Sequence, residues 1–114
     1  MILDRDAAGD RDLAWIAEQA ILGGADVVQL RDKRSPTQVV VEQATRLLRV
    51  TRQAGVPLII NDRVDIAASV GADGVHVGQD DLAVPLARRV LGRSRIIGVS
   101  THSLDQAFAA VLIA

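Results

Sequence analysis

The residues best suited to chemistry follow short apolar runs, and the most informative of them lie in the stretch Gln29-Leu30-Arg31-Asp32-Lys33. Side chains alternate along a strand, so Gln29, Arg31 and Lys33 share one face. Arginine offers phosphate oxygens a planar fork of donors, and lysine adds a point charge. The stretch therefore predicts a phosphate-binding segment, and a solvated loop of mixed charge is the alternative.

Two aspartates, Asp62 and Asp81, follow the next two apolar runs. Carboxylates at neighbouring strand ends can share a hard cation, and Mg²⁺ prefers a few carboxylates together with phosphate oxygens and water. Both aspartates also stand where a helix N-cap is expected. The nearby Arg31, Lys33 and Asn61 favour the metal-binding interpretation over the capping one.

His76 and His102 are the only histidines, and a lone histidine near a strand end is more often structural than catalytic. His102 is expected at the same edge as the aspartates. Ser100 follows another apolar run, where its hydroxyl and nearby backbone N–H groups can bind an anion. Because there is no Gly-x-Ser-x-Gly turn, a serine nucleophile is not expected.

The elements that must position these residues alternate between strand and helix. Helical spacing of apolar residues and glycine stops predict the helices, and short apolar runs predict the strands. Predicted strands cover residues 2–3, 26–30, 57–60, 73–77 and 95–99. Predicted helices cover residues 12–22, 35–54, 63–70, 82–91 and 103–114.

Two helix starts carry a capping pattern. Ser35 suits an N-cap, with Pro36 in the first turn and Gln38 at the third position of a capping box. Ser103 and Gln106 repeat that pattern near the end of the sequence. Both patterns predict side-chain hydrogen bonds to the first turn of the helix.

Alternating strands and helices predict a parallel sheet, and nearly continuous apolar strands predict that it is covered on both faces or closed into a barrel. The segment at residues 24–28 is echoed at 71–75, about two βα units later. This repetition favours a (β/α)8 TIM-barrel type over a doubly wound sheet. The absence of a Gly-x-Gly-x-x-Gly turn after the first strand also argues against a dinucleotide-binding fold. A complete barrel takes about 250 residues. We therefore expect residues 1–114 to form the N-terminal portion of one barrel domain, with about five of eight βα units.

Composition restricts the partners. The formal net charge of -1 provides no broad basic field for nucleic acid or an anionic membrane. The absence of cysteine excludes disulfides and thiolate metal sites. No signal peptide and no apolar stretch of membrane-spanning length is recognised, so we expect a cytoplasmic protein that acts on small molecules.

Four stretches together resemble the thiamine-phosphate synthase family. They are VQLRDK at 28–33, LIINDRVD at 58–65, GADGVHVGQDDL at 71–82 and IGVSTHS at 97–103. Their order on successive predicted strands makes the resemblance specific, and it extends over nearly the whole sequence.

The resemblance implies an enzyme that joins an aminopyrimidine methyl pyrophosphate to a thiazole phosphate, releasing pyrophosphate in a dissociative step. It implies that Asp62 and Asp81 hold Mg²⁺. The residues implied for the pyrimidine pyrophosphate are Arg31, Lys33 and Asn61 at the pyrophosphate, Gln29 at the pyrimidine end, and Ser100 alongside. The later strands that bind thiazole phosphate in this family, with their Thr-Pro-Thr-Lys-like and glycine-rich loops, have no counterpart here. The chain alone is therefore expected to make little or no product.

Three alternatives stay open. The related thiazole tautomerase is an isomerase of similar fold that would use an edge histidine such as His102 and would need no pyrophosphate–metal site. A non-catalytic, truncated barrel would instead self-associate through its open sheet edge. A phosphate-binding barrel from another pathway is the third alternative.

Overall fold

Short strands alternate with helices throughout residues 1–106, the part of the chain that the computed structural model describes. The strands are β1 Ile2–Asp4, β2 Val28–Arg31, β3 Leu58–Asn61, β4 Gly74–Val77 and β5 Ile96–Val99. The helices are α1 Arg5–Ala8, α2 Leu13–Leu22, α3 Thr37–Ala54, α4 Val64–Val70 and α5 Val84–Leu91.

The strands form one parallel sheet in the order β1-β2-β3-β4-β5. Each connection moves to the next strand in the same direction, so right-handed crossovers place all the connecting helices on one face. A doubly wound sheet reverses direction and carries helices on both faces. The topology confirms the incomplete barrel type that the sequence predicted.

The helix-facing side of the sheet forms the core. Leu30, Leu58, Ile60 and Val75 are each at most 1% exposed there. Helical spacing predicts that the apolar face of α3 consists of Val40, Ala44, Leu47 and Leu48, and all four are buried. For α5, helical spacing predicts an inward face of Ala83, Leu86, Ala87, Val90 and Leu91. This prediction is partly wrong, because Leu86 and Val90 are 47% and 53% exposed.

The opposite side of the sheet is the inner face of the barrel type, and strand register arranges its side chains in rows. The lower row contains Ile2, Gln29, Ile59, Gly74 and Ile96. The upper row, nearer the carboxyl ends of the strands, contains Asp4, Arg31, Asn61, His76 and Gly98. On this inner face Ile59, in the middle of the sheet, is 7% exposed, whereas Ile2 and Ile96 at the two sheet edges are 58% and 49% exposed.

Helix starts show both confirmed and missed capping. Ser35 does not cap α3, whose N-cap position is taken by Pro36 without a side-chain hydrogen bond. The Ser103 pattern is confirmed, because Gln106 N–H donates to Ser103 Oγ at 3.1 Å. The rest of that predicted helix lies outside the described residues. The single turn α1 was not predicted, although Asp4 caps it by accepting from Asp6 N–H.

The amino ends of the strands carry contacts that stabilise the sheet. In residues 71–75, which repeat the pattern of residues 24–28, the Asp73 carboxylate accepts from Leu58 N–H at 2.8 Å. Arg52 donates to the carbonyl oxygen of Gly71, and Arg95 to that of Ala72. Because these stabilising contacts lie at the amino ends of the strands, the side chains at the carboxyl ends are free to take part in chemistry, as is usual in β/α barrels.

Across residues 1–106, no helix combines the length and the apolar character needed to cross a bilayer.

Candidate active site

The predicted site residues converge at the carboxyl ends of β2 to β5. Parallel strands in register end at one edge of the sheet, so side chains from separate βα units meet there. The structure brings together three groups: Asp62 with Asp81 and Lys33, Arg31 with Asp4, and His76 with Ser100.

Asp62 and Asp81 form a carboxylate pair, close enough together for the Asp81 carboxyl to raise the pKa of Asp62. Burial raises the pKa of Asp62, the Asp81 carboxyl raises it further, and the Lys33 ammonium opposes both effects. Lys33 Nζ lies 3.6 Å from Asp62 Oδ2. The capping alternative was wrong for both residues, because Arg63 and Ala83 occupy the N-cap positions of α4 and α5.

Asp62 is held in a backbone conformation that a non-glycine residue rarely adopts. Its φ is 68°, the only positive value outside glycine among the described residues. Its N–H donates to the carbonyl oxygen of His76 at 2.7 Å, and Arg63 N–H donates to that of Asn61 across the turn. Strain held by surrounding contacts is typical of functional positions.

Asp81 is fixed by the loop that follows β4. Its Oδ2 accepts from Gly78 N–H at 2.6 Å, and its own N–H donates back to the Gly78 carbonyl at 3.3 Å. A Cβ at position 78 would lie 3.2 Å from that Oδ2. The loop therefore holds the second carboxylate in place before any ligand binds.

Arg31 makes an ion pair with Asp4, its neighbour in the upper row. The hydrogen bond from Arg31 lowers the pKa of Asp4. A guanidinium has five N–H donors, so this pair orients Arg31 and leaves other donors for a ligand. Sequence reasoning missed Asp4, although its place at the end of the first strand was a usable signal.

Asp32 shapes the loop that carries Lys33. Its Oδ1 accepts from the N–H groups of Arg34 and Ser35, and its Oδ2 accepts from Gln43 Nε2 at 3.2 Å. Burial acts to raise the pKa of Asp32, but these hydrogen bonds outweigh it and the pKa is lowered. Asp32 therefore orders the loop that precedes α3, and the first turn of α3 itself has no side-chain cap in place of the one predicted for Ser35.

We expect Asp32→Ala to lower the free energy of unfolding by about 1–2 kcal/mol at pH 7, because two backbone N–H groups lose their acceptor. A depressed folded-state pKa gives stability that is present above the unfolded value and lost as pH falls through the folded value. The difference between the variant and the parent should therefore shrink as pH falls below 3.8. Urea melts at pH 7 and pH 3 measure this, with exposed Asp10→Ala as the control. Equal urea midpoints at pH 7 would contradict the assignment.

The two amide residues lie at different depths. Asn61 is in the upper row beside His76, at the level of the carboxylates. Gln29 is in the lower row beside Ile2 and Ile59, one step deeper in the barrel. Both are half-buried. Asn61 therefore lies at the level of the charged side chains, and Gln29 lies one row below them.

Ser100 lies just beyond β5 and is held by three contacts. His76 Nε2 lies 2.6 Å from its Oγ, Gln79 Nε2 donates to its carbonyl oxygen at 2.7 Å, and its N–H donates to the Val77 carbonyl. His76 was interpreted as structural on sequence grounds, and the sequence held no signal for this pairing. His102 is exposed.

A cavity of about 380 Å³ lies elsewhere, among α1, α2 and α3. Arg5, Arg11 and Arg46 contribute to its lining. Arg5 and Arg11 donate to backbone carbonyls of the α1 turn and the loop after it, and Arg46 lies 3.7 Å from Asp12. These cations hold local structure, so the polar strand edge is the stronger candidate site.

The fold and this edge define an incomplete β/α barrel with the residue types of a metal–phosphate site. The sequence model of the thiamine monophosphate synthase family matches residues 1–112. The chain belongs to that family.

Individual relatives agree with the family match. The chain is 51% identical over 107 residues to the thiamine-phosphate synthase of Roseiflexus castenholzii, covering 94% of this chain and 47% of that protein. It is 50% identical over 111 residues to that of Chloroflexus aurantiacus, covering 97% and 51%. The solved thiamine phosphate pyrophosphorylase from Pyrococcus furiosus superposes with a TM-score of 0.88 at 30% identity, covering 99% of this chain and 55% of that one. The chain spans about half the length of the curated relatives it matches.

Proposed function

We propose that this chain carries the pyrimidine-pyrophosphate and magnesium half of a thiamine-phosphate synthase site, and that residues 1–114 are the N-terminal portion of one barrel domain. The complete reaction would join 4-amino-5-hydroxymethyl-2-methylpyrimidine pyrophosphate to a thiazole phosphate. The observation that supports this most is the Asp62–Asp81 pair with Lys33 beside it, at the carboxyl edge of the sheet.

The carboxylate pair suits Mg²⁺ held jointly with a ligand. Within residues 1–106, no three histidine or acidic side chains gather as a complete metal cage. Magnesium is usually bound by one or two carboxylates plus substrate phosphates and water, so two aspartates are the expected protein share. When bound, the ion would offset the negative charge of the departing pyrophosphate.

The remaining side chains would bind and orient the pyrimidine pyrophosphate. Arg31, Lys33 and Asn61 supply cationic and amide donors to the leaving group, and preset donors stabilise charge as it develops. Gln29 and Ser100 would contact the rest of the molecule. No general base is needed, because the thiazole nitrogen attacks without losing a proton.

The carboxylate pair favours the synthase over the thiazole tautomerase, which would have no use for a metal–pyrophosphate site. Nothing in residues 1–106 matches the loops expected for thiazole phosphate, so the acceptor would bind to a segment supplied by the other half of a full-length protein. We also propose a cytoplasmic location, and self-association through the sheet edges where Ile2 and Ile96 are exposed. Size-exclusion chromatography tests the latter, and a monomer with cooperative unfolding would contradict it.

The function is tested by a coupling assay with both precursors and Mg²⁺. The chain is assayed alone and with the C-terminal half of the Roseiflexus castenholzii relative, either fused or added as a separate chain. We expect thiamine phosphate only when both halves are present. As a control, that C-terminal half alone should form none. A fused protein that folds and binds neither precursor would count against the proposal.

A further inference from the structure

The His76 side chain has a role that the magnesium and pyrophosphate contacts do not explain. It lies in the upper row between Asn61 and Gly98, on the inner face of the sheet. From β4 its imidazole extends across β5 to Ser100, where Nε2 and Oγ are 2.6 Å apart. Two strands are thereby joined by a side-chain hydrogen bond at the site.

Gly98 provides the space for this contact. A Cβ built at position 98 would lie 2.7 Å from His76 Nδ1 and 3.5 Å from its Cε1. No side chain can occupy that volume while the imidazole stays in place. The ring therefore lies directly over the backbone of β5, in the space that the absence of a side chain at position 98 leaves.

A serine hydroxyl can otherwise rotate among three staggered positions. It has one donor hydrogen and two acceptor lone pairs, and the bond to His76 takes up one of these. The rest are directed by that bond and stay available to a ligand. The backbone of His76 also supports the metal half of the site, because its carbonyl accepts from Asp62 N–H.

We propose that His76 is a positioning residue that orients the Ser100 hydroxyl toward the pyrimidine end of the pyrophosphate substrate. The inference rests on the proposed function. The proposed site then has two parts. The carboxylates with Arg31 and Lys33 bind the pyrophosphate, and the His76–Ser100 pair binds the pyrimidine.

Calorimetric titration of the full chain with two probes, magnesium pyrophosphate and the aminopyrimidine pyrophosphate, tests this division. For His76→Phe, which keeps a flat ring but lacks the nitrogen, we expect binding of the pyrimidine compound to weaken about three- to tenfold, the range of one neutral hydrogen bond. Binding of pyrophosphate should not change. His76→Gln, whose amide can restore the contact, should recover most of the loss.

A double-mutant cycle separates positioning from general structural support. Ser100→Ala should weaken pyrimidine binding as much as His76→Phe, and the double variant should add little more. The ¹⁵N shift of His76 Nε2 should also move in Ser100→Ala. If the parent chain binds neither probe, the proposed function fails and this inference fails with it. If the parent binds both while His76→Phe matches it, or the two losses add fully, only the His76 inference is overturned.

Discussion

Asp81→Asn is expected to remove the magnesium dependence of pyrophosphate binding and to weaken that binding about tenfold to hundredfold, the size of one lost charge-assisted contact. Asparagine can still accept the hydrogen bond from Gly78 N–H, so the loop after β4 should keep its shape. What is lost is the negative charge that the carboxylate pair offers to a cation.

Asp62→Asn should have the same effect, and asparagine is the required replacement at this position. Asp62 has a φ of 68°, a conformation that asparagine tolerates and that costs alanine about 1 kcal/mol or more. An alanine variant would therefore mix a backbone effect with the loss of a ligand.

Isothermal titration with pyrophosphate, with and without Mg²⁺, measures both variants. Asp80→Asn is the matched control, since Asp80 is exposed and adjoins Asp81 in sequence. It should bind as the parent does. Binding that is independent of magnesium in the parent, or unchanged in both asparagine variants, would refute the metal assignment.

Gly74→Ala is expected to destabilise the fold by about 3 kcal/mol or more, at the upper end of what overpacking usually costs. A Cβ at position 74 would lie 2.3 Å from the Ile96 carbonyl oxygen and 2.9 Å from Ile59 Cδ1. Backbone cannot yield as a flexible side chain can, so β4 and β5 would have to separate. The contact between His76 and Ser100 depends on the pairing of β4 with β5, so it should be disrupted as well.

Gly23→Ala is the control for this variant. Gly23 has a φ of -79°, and its added Cβ would meet only the carbonyl oxygens of Ala20 at 3.4 Å and Gln19 at 3.5 Å, which is ordinary contact. Its unfolding free energy should stay within about 0.5 kcal/mol of the parent, as for a substitution free of strain. Chemical denaturation of both variants tests this prediction. Equal midpoints for Gly74→Ala and Gly23→Ala would show that the close approach of Gly74 to Ile96 does not limit stability.

The sequence predicted the order of strands and helices well, because apolar periodicity and glycine stops are local signals. The buried face of α3 follows directly from the spacing of Val40, Ala44 and Leu47. Capping was less predictable, because the path of the loop places Pro36 at the N-cap of α3 and uses Asp32 to bind the loop before it, and no local pattern indicates that path. The single turn α1 was missed because four residues carry no periodicity.

The site was predictable as a set of residues and not as a set of contacts. Asp62 and Asp81 were recognised as either ligands or caps, and the sequence does not reveal that Arg63 and Ala83 take the N-cap positions instead. The pairs Arg31–Asp4 and His76–Ser100 join separate strands. Such contacts depend on strand register, which no local pattern encodes.

The two rows of the inner face have a consequence for how this scaffold can change over evolutionary time. Apart from Gln29, the lower row consists of three isoleucines and Gly74, whereas the upper row holds ionisable or hydrogen-bonding side chains and Gly98. Mutations could therefore replace the polar side chains of the upper row one strand at a time without disturbing the packing of the lower row. A descendant with a different reaction would need few substitutions, and most of them would fall within one residue of a strand's last position.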